Sequence, residues 1–140
     1  MVKPVRGRGG RGAERWDHHE DGRYVNPRGE ALSASQFVDR LCDMSRAQPY
    51  LVQERARNHP AIQDLSNDAL STVRMLSCLN EQEELEIIGA VLRMAIGSNI
   101  TVDNVHAGGI AAAIDLREGR LNQAAHAGID ARPGWLDRHP

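Results

Sequence analysis

A lysine and a dense run of glycines near the start of the chain form a combination that suits phosphate binding. Lys3 precedes four glycines that lie close together: Gly7, Gly9, Gly10 and Gly12. Glycines let backbone N–H groups approach phosphate oxygens, and a lysine supplies a point charge for the same anion. The run is not a Walker loop, because no Gly-Lys-Ser/Thr triplet follows and no helix opens directly after it. The alternative is an arginine-glycine tail that binds RNA through charge.

Further along the chain, polar residues recur at the ends of predicted strands. The candidates are Gln53, Glu54 and Arg55 after one short strand, Arg74 and Arg93 on two neighbouring strands, and Asn104, His106, Gly108 and Gly109 in the following loop. Arginines inside apolar sequence need an anionic partner, since burying an unpaired charge is costly. That partner is a ligand or, alternatively, a structural ion pair with Glu84 or Glu86. His106 has the alternative of a hydrogen bond to backbone only.

The segment from Asp17 to Asp21 holds two histidines and three acids, which invites a metal-site interpretation. Neighbouring residues point to opposite faces of a strand and diverge on a helix, so one ion cannot easily use both histidines. We therefore predict no metal site among these residues. Trp16, Phe37 and Trp135 are too scattered for a base-stacking platform, which weighs against nucleic acid as a partner.

Composition indicates a compact chain that does not cross a membrane. The 140 residues are 41% hydrophobic and carry a formal net charge of -2, which suits one domain with a modest core. Cys42 and Cys78 show no CxxC spacing, so they predict neither zinc nor a disulfide framework and favour the reducing cytoplasm. The apolar runs are far shorter than the roughly 20 residues that a bilayer requires. The basic start lacks the apolar core of a signal peptide.

Short elements must position these residues in the first part of the chain. Ser33 and Gln36 have the spacing of a capping box, and apolar residues then recur at helical intervals, which predicts a helix over 34–45. The other predicted elements are a short strand at 1–3, a hairpin around the proline turn 26–29, and a strand at 50–53.

The second part of the chain predicts an antiparallel sheet. Residues 72–79 and 85–94 are apolar and β-compatible, and they flank the polar turn 80–83. Residues 110–116 form a third candidate strand. After Gln123 the chain becomes polar and prolines recur, so we expect no closing strand there. The predicted fold class is α+β, an antiparallel sheet with a Gly-rich lid loop and few helices.

Taken in order, these segments resemble the ATP-grasp superfamily, especially the α-L-glutamate-ligase-related, sugar-transfer-associated proteins. The resemblance rests on Lys3-Pro4 with its glycines, on Gln53-Glu54, on Thr72-Val73-Arg74 with Arg93, and on the segment from Asp103 to Gly109. It covers roughly residues 1–121 and implies a partial ATP-grasp fold. Residues 1–56 would be a remnant of the small subdomain, 57–123 the central sheet of the large subdomain, and 124–140 an irregular, truncated tail.

The resemblance also implies roles for the candidate residues. Lys3 would contact the phosphates of ATP, and the glycines from Gly7 to Gly12 would cover them as a lid. The hinge of Gln53, Glu54 and the backbone around Arg55 would hold adenine. The remaining roles are neutralisation of the γ-phosphate or an acyl phosphate by Arg74 and Arg93, and lining of the acceptor cleft by Asn104, His106, Gly108 and Gly109.

The implied activity is ATP-dependent ligation of a carboxylate to an amine through an acyl phosphate, and the family name implies a link to cell-surface polysaccharide synthesis. The implied partners are ATP, Mg²⁺ and an unknown carboxylate or amine substrate. ATP-grasp enzymes hold Mg²⁺ with acids and an asparagine in a late Glu-x-Asn segment, and none follows Leu121. We therefore expect the Mg²⁺ ligands in a segment missing from this sequence, and a chain incomplete for catalysis. Alternatives are an inactive nucleotide-binding fragment and an RNA-binding protein using the arginine-glycine loop.

Overall fold

The computed structural model describes residues 1–7, 9–66, 68–97, 100–127 and 132–140. The chain forms two compact units, Met1–Ala56 and Arg57–Pro140. Strands dominate the described residues and helices are few, which confirms the predicted antiparallel, helix-poor architecture. The assignment of these units to ATP-grasp subdomains stays a prediction.

The first unit contains two small antiparallel sheets and one α-helix. Strand β1 (Val2–Pro4) pairs with β5 (Tyr50–Val52), so that Val2 lies opposite Val52. The second sheet has three strands in the order β2, β3, β4, which span Asp17–His18, Tyr24–Val25 and Ala31–Leu32. The hairpin predicted around the proline turn is therefore confirmed.

Helix α1 (Ala34–Ala47) begins at a capping box, as the sequence predicts. The Ser33 hydroxyl accepts a hydrogen bond from the Gln36 backbone N–H, and the Gln36 side chain accepts one from the Ser33 N–H at 2.9 Å. These two bonds satisfy N–H groups that have no partner within the helix. Gln48 adopts an extended conformation before Pro49, and the helix ends there.

An aromatic cluster forms the core of the first unit. Val2, Trp16 and Phe37 are buried together, and the Trp16 and Phe37 ring centroids lie 5.3 Å apart. The guanidinium of Arg40 lies 5.5 Å from the centre of the Trp16 ring and forms an ion pair with Glu14 at 2.8 Å. Burial alone would raise the pKa of Glu14, but hydrogen bonds from Arg40 and Trp16 outweigh burial and lower it.

The second unit is a five-stranded antiparallel sheet in the order β10-β9-β8-β7-β6. The strands are β6 (Thr72–Leu79), β7 (Leu85–Met94), β8 (Ile110–Ile114), β9 (Leu121–Ala127) and β10 (Pro133–Leu136). Two short 3-10 helices, Pro60–Leu65 and Val105–Ala107, precede β6 and β8. None of the described helices combines the length and the apolar character needed to cross a bilayer.

The expectation of an irregular tail after Gln123 is wrong. Residues beyond it belong to β9 and β10, and Ala125 pairs with Ala111 on one side and with Trp135 on the other. Alanine and proline have low strand propensity, so local sequence does not indicate these strands. Ladder pairing with β8 and the packing of Leu136 against the core stabilise them instead.

One face of the second sheet carries the core. Leu92, Met94, Ile110 and Ala112 are buried together there. Because side chains alternate along a strand, Arg93 must point to the opposite face. The hydrophobic pattern of β7 thus determines the face on which Arg93 lies.

Candidate functional site

A row of cross-strand neighbours crosses the face of the second sheet that lies opposite its core. The strand registers align five residues in this row: Thr72, Arg93, Ala111, Ala125 and Trp135. The two alanines leave the middle of the row shallow, and Trp135 at its edge is 62% exposed. The row therefore has polar residues, Thr72 and Arg93, at one end and Trp135 at the other, with two small alanine side chains between them.

Arg93 is held at its end of the row by two neighbours. Its Nε and Nη2 groups donate to the Thr72 hydroxyl at 3.1 and 2.7 Å. Nη2 also lies 3.3 Å from a carboxylate oxygen of Asp103, and the Thr72 hydroxyl donates to the other carboxylate oxygen. The side chains of Arg93 and Asp103 are only 22% and 10% exposed, so solvent screens this ion pair weakly.

The loop that supplies Asp103 packs tightly against the end of β7. A Cβ atom on Gly109 would lie 2.6 Å from the carbonyl oxygen of Asp103 and 2.8 Å from that of Met94. A side chain at this position would therefore collide with backbone on two sides. Only glycine permits this close approach, which brings Asp103 to Arg93.

The other predicted residues of this loop shape its turn. The Asn104 side chain accepts a hydrogen bond from the His106 backbone N–H at 3.1 Å and so caps the short 3-10 helix. Gly108 ends the helix in the left-handed conformation, with φ of 92°. The His106 side chain is exposed and has no hydrogen-bond partner among the described residues.

Arg74 shares the face of Arg93 but not its partners. It lies opposite Val91 in the β6–β7 ladder, two residues from Thr72 on the same side of the strand. Its side chain is exposed and forms no ion pair within the described chain. The alternative ion pair of Arg74 with Glu84 or Glu86 does not form among the described residues, where both glutamates accept hydrogen bonds from the Asn80 side chain. For Arg93 an ion pair does form, with Asp103.

Lys3 and the glycines lie in the first unit. Lys3 is half-buried and pairs with Leu51 across the β1–β5 ladder, and its side chain makes no ion pair with another described residue. Gly9, Gly10 and Gly12 adopt left-handed backbone conformations, with φ of 67°, 73° and 74°. Gly7 has Pro4 close by, and Arg8 lies outside the described residues. The lid role of this loop stays a prediction.

The predicted hinge follows β5 in the same unit. The Gln53 backbone N–H donates to the Met1 carbonyl at 2.9 Å, and the Glu54 side chain is exposed. The Arg55 guanidinium forms an ion pair with Asp17 at 3.1 Å. Burial would raise the pKa of Asp17, but hydrogen bonds from Arg15 and Arg55 lower it. The Arg55 side chain therefore has a structural partner, and the predicted adenine contact concerns its backbone.

The described residues offer no ligand set for Mg²⁺. Nowhere in the described part of the chain do three His, Cys, Asp or Glu side chains meet in a way that could hold a metal ion. The carboxylate of Asp17 already pairs with Arg15 and Arg55. We assign no residue to the metal.

The whole sequence, residues 1–140, matches the family model described as sugar-transfer associated ATP-grasp. The chain belongs to this ATP-grasp family. Comparison with curated proteins gave no match, and comparison with solved structures gave none either. Family membership identifies the general kind of protein, an ATP-binding one, and ATP-grasp proteins generally use ATP and Mg²⁺.

Thr72 and Asp103 lie in the segments on which the resemblance rests, but the sequence did not predict their contacts with Arg93. Asp103 directly precedes Asn104, which was a predicted site residue. Because burying an unpaired arginine is costly, Arg93 requires a carboxylate partner, and Asp103 provides it. The acids near the β6–β7 turn, Glu84 and Glu86, are closer in sequence to Arg93 than Asp103 is to Thr72, but they do not pair with Arg93 among the described residues. Asp103 comes from the loop after β7, 31 residues beyond Thr72.

Proposed function

We propose that this chain is the ATP-binding portion of an ATP-grasp carboxylate–amine ligase that works through an acyl-phosphate intermediate. The observation that carries the proposal is the sheet face opposite the core, on which Arg74 and Arg93 occupy diagonal positions of the β6–β7 ladder and Arg93 pairs with Asp103, the residue before Asn104. Two guanidinium groups on one face suit the γ-phosphate of ATP and the acyl phosphate that follows it.

The two arginines differ in what they supply. Arg74 is exposed and unpaired among described residues, so it contributes net positive charge. Arg93 is restrained and its charge is balanced by Asp103, so it contributes directed hydrogen bonds. In the proposed roles, Lys3 and the glycines from Gly7 to Gly12 contact the phosphates. Gln53, Glu54 and the backbone of Arg55 contact adenine, and Asn104, His106, Gly108 and Gly109 line the acceptor cleft.

The proposed reaction has two steps. A carboxylate oxygen of the substrate attacks the γ-phosphorus, the bond to the β-phosphate oxygen breaks, and ADP leaves. An amine then attacks the acyl carbon, loses a proton and displaces inorganic phosphate, which leaves an amide. Fixed guanidinium groups stabilise the negative charge on the transferred phosphoryl oxygens. Bound Mg²⁺ would supply further neutralisation of the phosphates.

The family description suggests the setting of this chemistry. We include in the proposal a link to cell-surface polysaccharide synthesis, which is compatible with the sugar-transfer association in the family's description. A cytoplasmic location is also proposed, since ATP is available there and the exposed thiols of Cys42 and Cys78 would stay reduced.

Isothermal titration calorimetry of the full chain with ATP in the presence of Mg²⁺ measures ATP binding and tests the proposal. ATP should bind and stabilise the protein by RT ln(1 + [L]/Kd). Arg74→Ala should weaken ATP binding by about tenfold or more, as expected for losing a hydrogen bond to a charged group. Arg117→Ala is the matched control, because Arg117 is an exposed arginine in the turn after β8. Failure of the wild-type chain to bind ATP would reject the proposal.

One other candidate function, RNA binding, has an observation in its favour. The exposed Arg6 and Arg11, together with the glycines between them, favour RNA binding through the arginine-glycine loop. RNA affinity carried by this loop should fall steeply with salt, and oligonucleotide should replace ATP as the stabilising ligand.

A further inference from the structure

The contacts around Arg93 use the whole hydrogen-bonding capacity of one hydroxyl group. A threonine hydroxyl has one donor and two acceptor positions. The Thr72 hydroxyl donates to Asp103 and accepts from both Nε and Nη2 of Arg93. Arg93 also pairs directly with Asp103. Three groups therefore form a closed ring of contacts that leaves the guanidinium little rotational freedom.

We propose that Thr72 and Asp103 are positioning residues that fix the Arg93 guanidinium for a phosphate oxygen of the nucleotide. This inference rests on the proposed function, because it concerns how the same site binds the terminal phosphate. Nε and Nη2 of Arg93 are occupied, whereas Nη1 has no hydrogen bond among the described residues. The Arg93 side chain as a whole keeps 22% of its surface exposed.

The charge balance between Arg93 and Asp103 indicates that Arg93 acts through the direction of its hydrogen bonds and not through net charge. Asp103 neutralises Arg93 locally, so the Arg93 site adds little net charge and depends on the direction of its N–H groups. Arg74, which shares the face and lacks such a partner in the described chain, supplies the charge. An oriented donor loses no further rotational freedom when the ligand binds, which favours the bound state.

The same carboxylate links Arg93 to the acceptor loop. Asp103 immediately precedes Asn104, whose side chain caps the short 3-10 helix. Gly109 holds this stretch against the end of β7, where no larger residue fits. Orientation of Arg93 and placement of Asn104 therefore depend on one another, and disturbing Asp103 should disturb both.

Thr72→Val and Thr72→Ser test the inference through nucleotide selectivity. Valine has the shape of threonine without the hydroxyl, whereas serine keeps the hydroxyl. Affinities for ATP and ADP are measured by calorimetry on each full-length variant. Thr72→Val should lower the ratio of ATP to ADP affinity by about tenfold, and Thr72→Ser should restore most of it. A purely structural role would change stability and leave this ratio unaltered.

A second measurement needs no nucleotide. In ¹⁵N spectra of the arginine side chains, the Nε–H of Arg93 should exchange slowly with solvent, and that of Arg74 rapidly. Thr72→Val and Asp103→Asn should both speed the exchange of Arg93, while Arg74 stays unchanged. Rapid exchange of Arg93 in the wild-type chain would overturn the inference.

The two proposals fail in different ways. If Arg93 Nε–H exchanges slowly in the wild-type chain but the chain binds no ATP, the proposed function is wrong. The contacts of Arg93 with Thr72 and Asp103 then have no role in nucleotide binding. A wild-type chain that prefers ATP, with Thr72→Val keeping the same ATP-to-ADP ratio, rejects the positioning inference alone.

Discussion

Replacement of Gly109 by alanine should destabilise the second unit strongly. The added methyl group would lie 2.6 Å from the Asp103 carbonyl oxygen and 2.8 Å from that of Met94, closer than real Cβ atoms approach backbone. Overpacking costs about 1–3 kcal/mol, and we expect the upper half of this range because backbone on two sides must move. For a unit of this size that corresponds to a melting temperature lower by about 8–24 °C.

Gly89→Ala provides the matched control within the same sheet. Gly89 lies in β7 with no atom within 4 Å of the position its Cβ would take. Alanine should be neutral there or stabilise by up to about 1 kcal/mol, since it restricts the unfolded chain. Differential scanning calorimetry of both variants measures the difference. Equal melting temperatures for Gly109→Ala and Gly89→Ala would refute the reasoning that the Asp103 loop is held by this close contact.

Three further predictions concern a lysine exchange, acid stability and the helix cap. Arg93→Lys should reduce ATP affinity about tenfold more than Arg74→Lys, because one ammonium group cannot make the several directed hydrogen bonds of the Arg93 guanidinium. Calorimetric titration measures both affinities, and equal losses would contradict the prediction. The folded-state pKa values of Glu14 and Asp17 are lowered from 4.5 and 3.8. Their contribution to stability is therefore present above those values and lost as pH falls through the folded-state pKa values. Glu14→Gln should flatten the fall in melting temperature below about pH 4.5, and an unaltered acid profile would argue against it. Ser33→Ala should cost about 1 kcal/mol by removing the helix cap, which urea denaturation measures; a change below a few tenths of that would show that the cap is dispensable.

Local signals were sufficient for the elements whose determinants are close in sequence. Ser33 and Gln36 predicted the start of α1, and the polar turn at 80–83 predicted the β6–β7 hairpin. In both cases neighbouring residues make the decisive hydrogen bonds. The Asn80 side chain, for example, accepts from the backbone N–H groups of Gln82 and Glu84.

The remaining features depend on contacts between distant residues. The β6–β7 register shifts between Leu76 and Ser77, and only this shift brings Thr72 opposite Arg93. A regular hairpin would place Thr72 opposite Leu92 and would turn it to the core face. No local pattern in the sequence marks the shift. The pairing of Arg93 with Asp103 and the strand character of β9 and β10 have the same origin in tertiary packing.

Protection of Lys3 from amine labelling would test the central claim most directly. Lys3 is the only lysine of the sequence, so peptide mass spectrometry after acetylation reports on this side chain alone. Our account assigns Lys3 to the phosphates of ATP. ATP should therefore slow acetylation of Lys3, and adenosine, which carries no phosphate, should not. ATP that leaves Lys3 labelling unaltered, or adenosine that protects Lys3 as well as ATP does, would contradict the account.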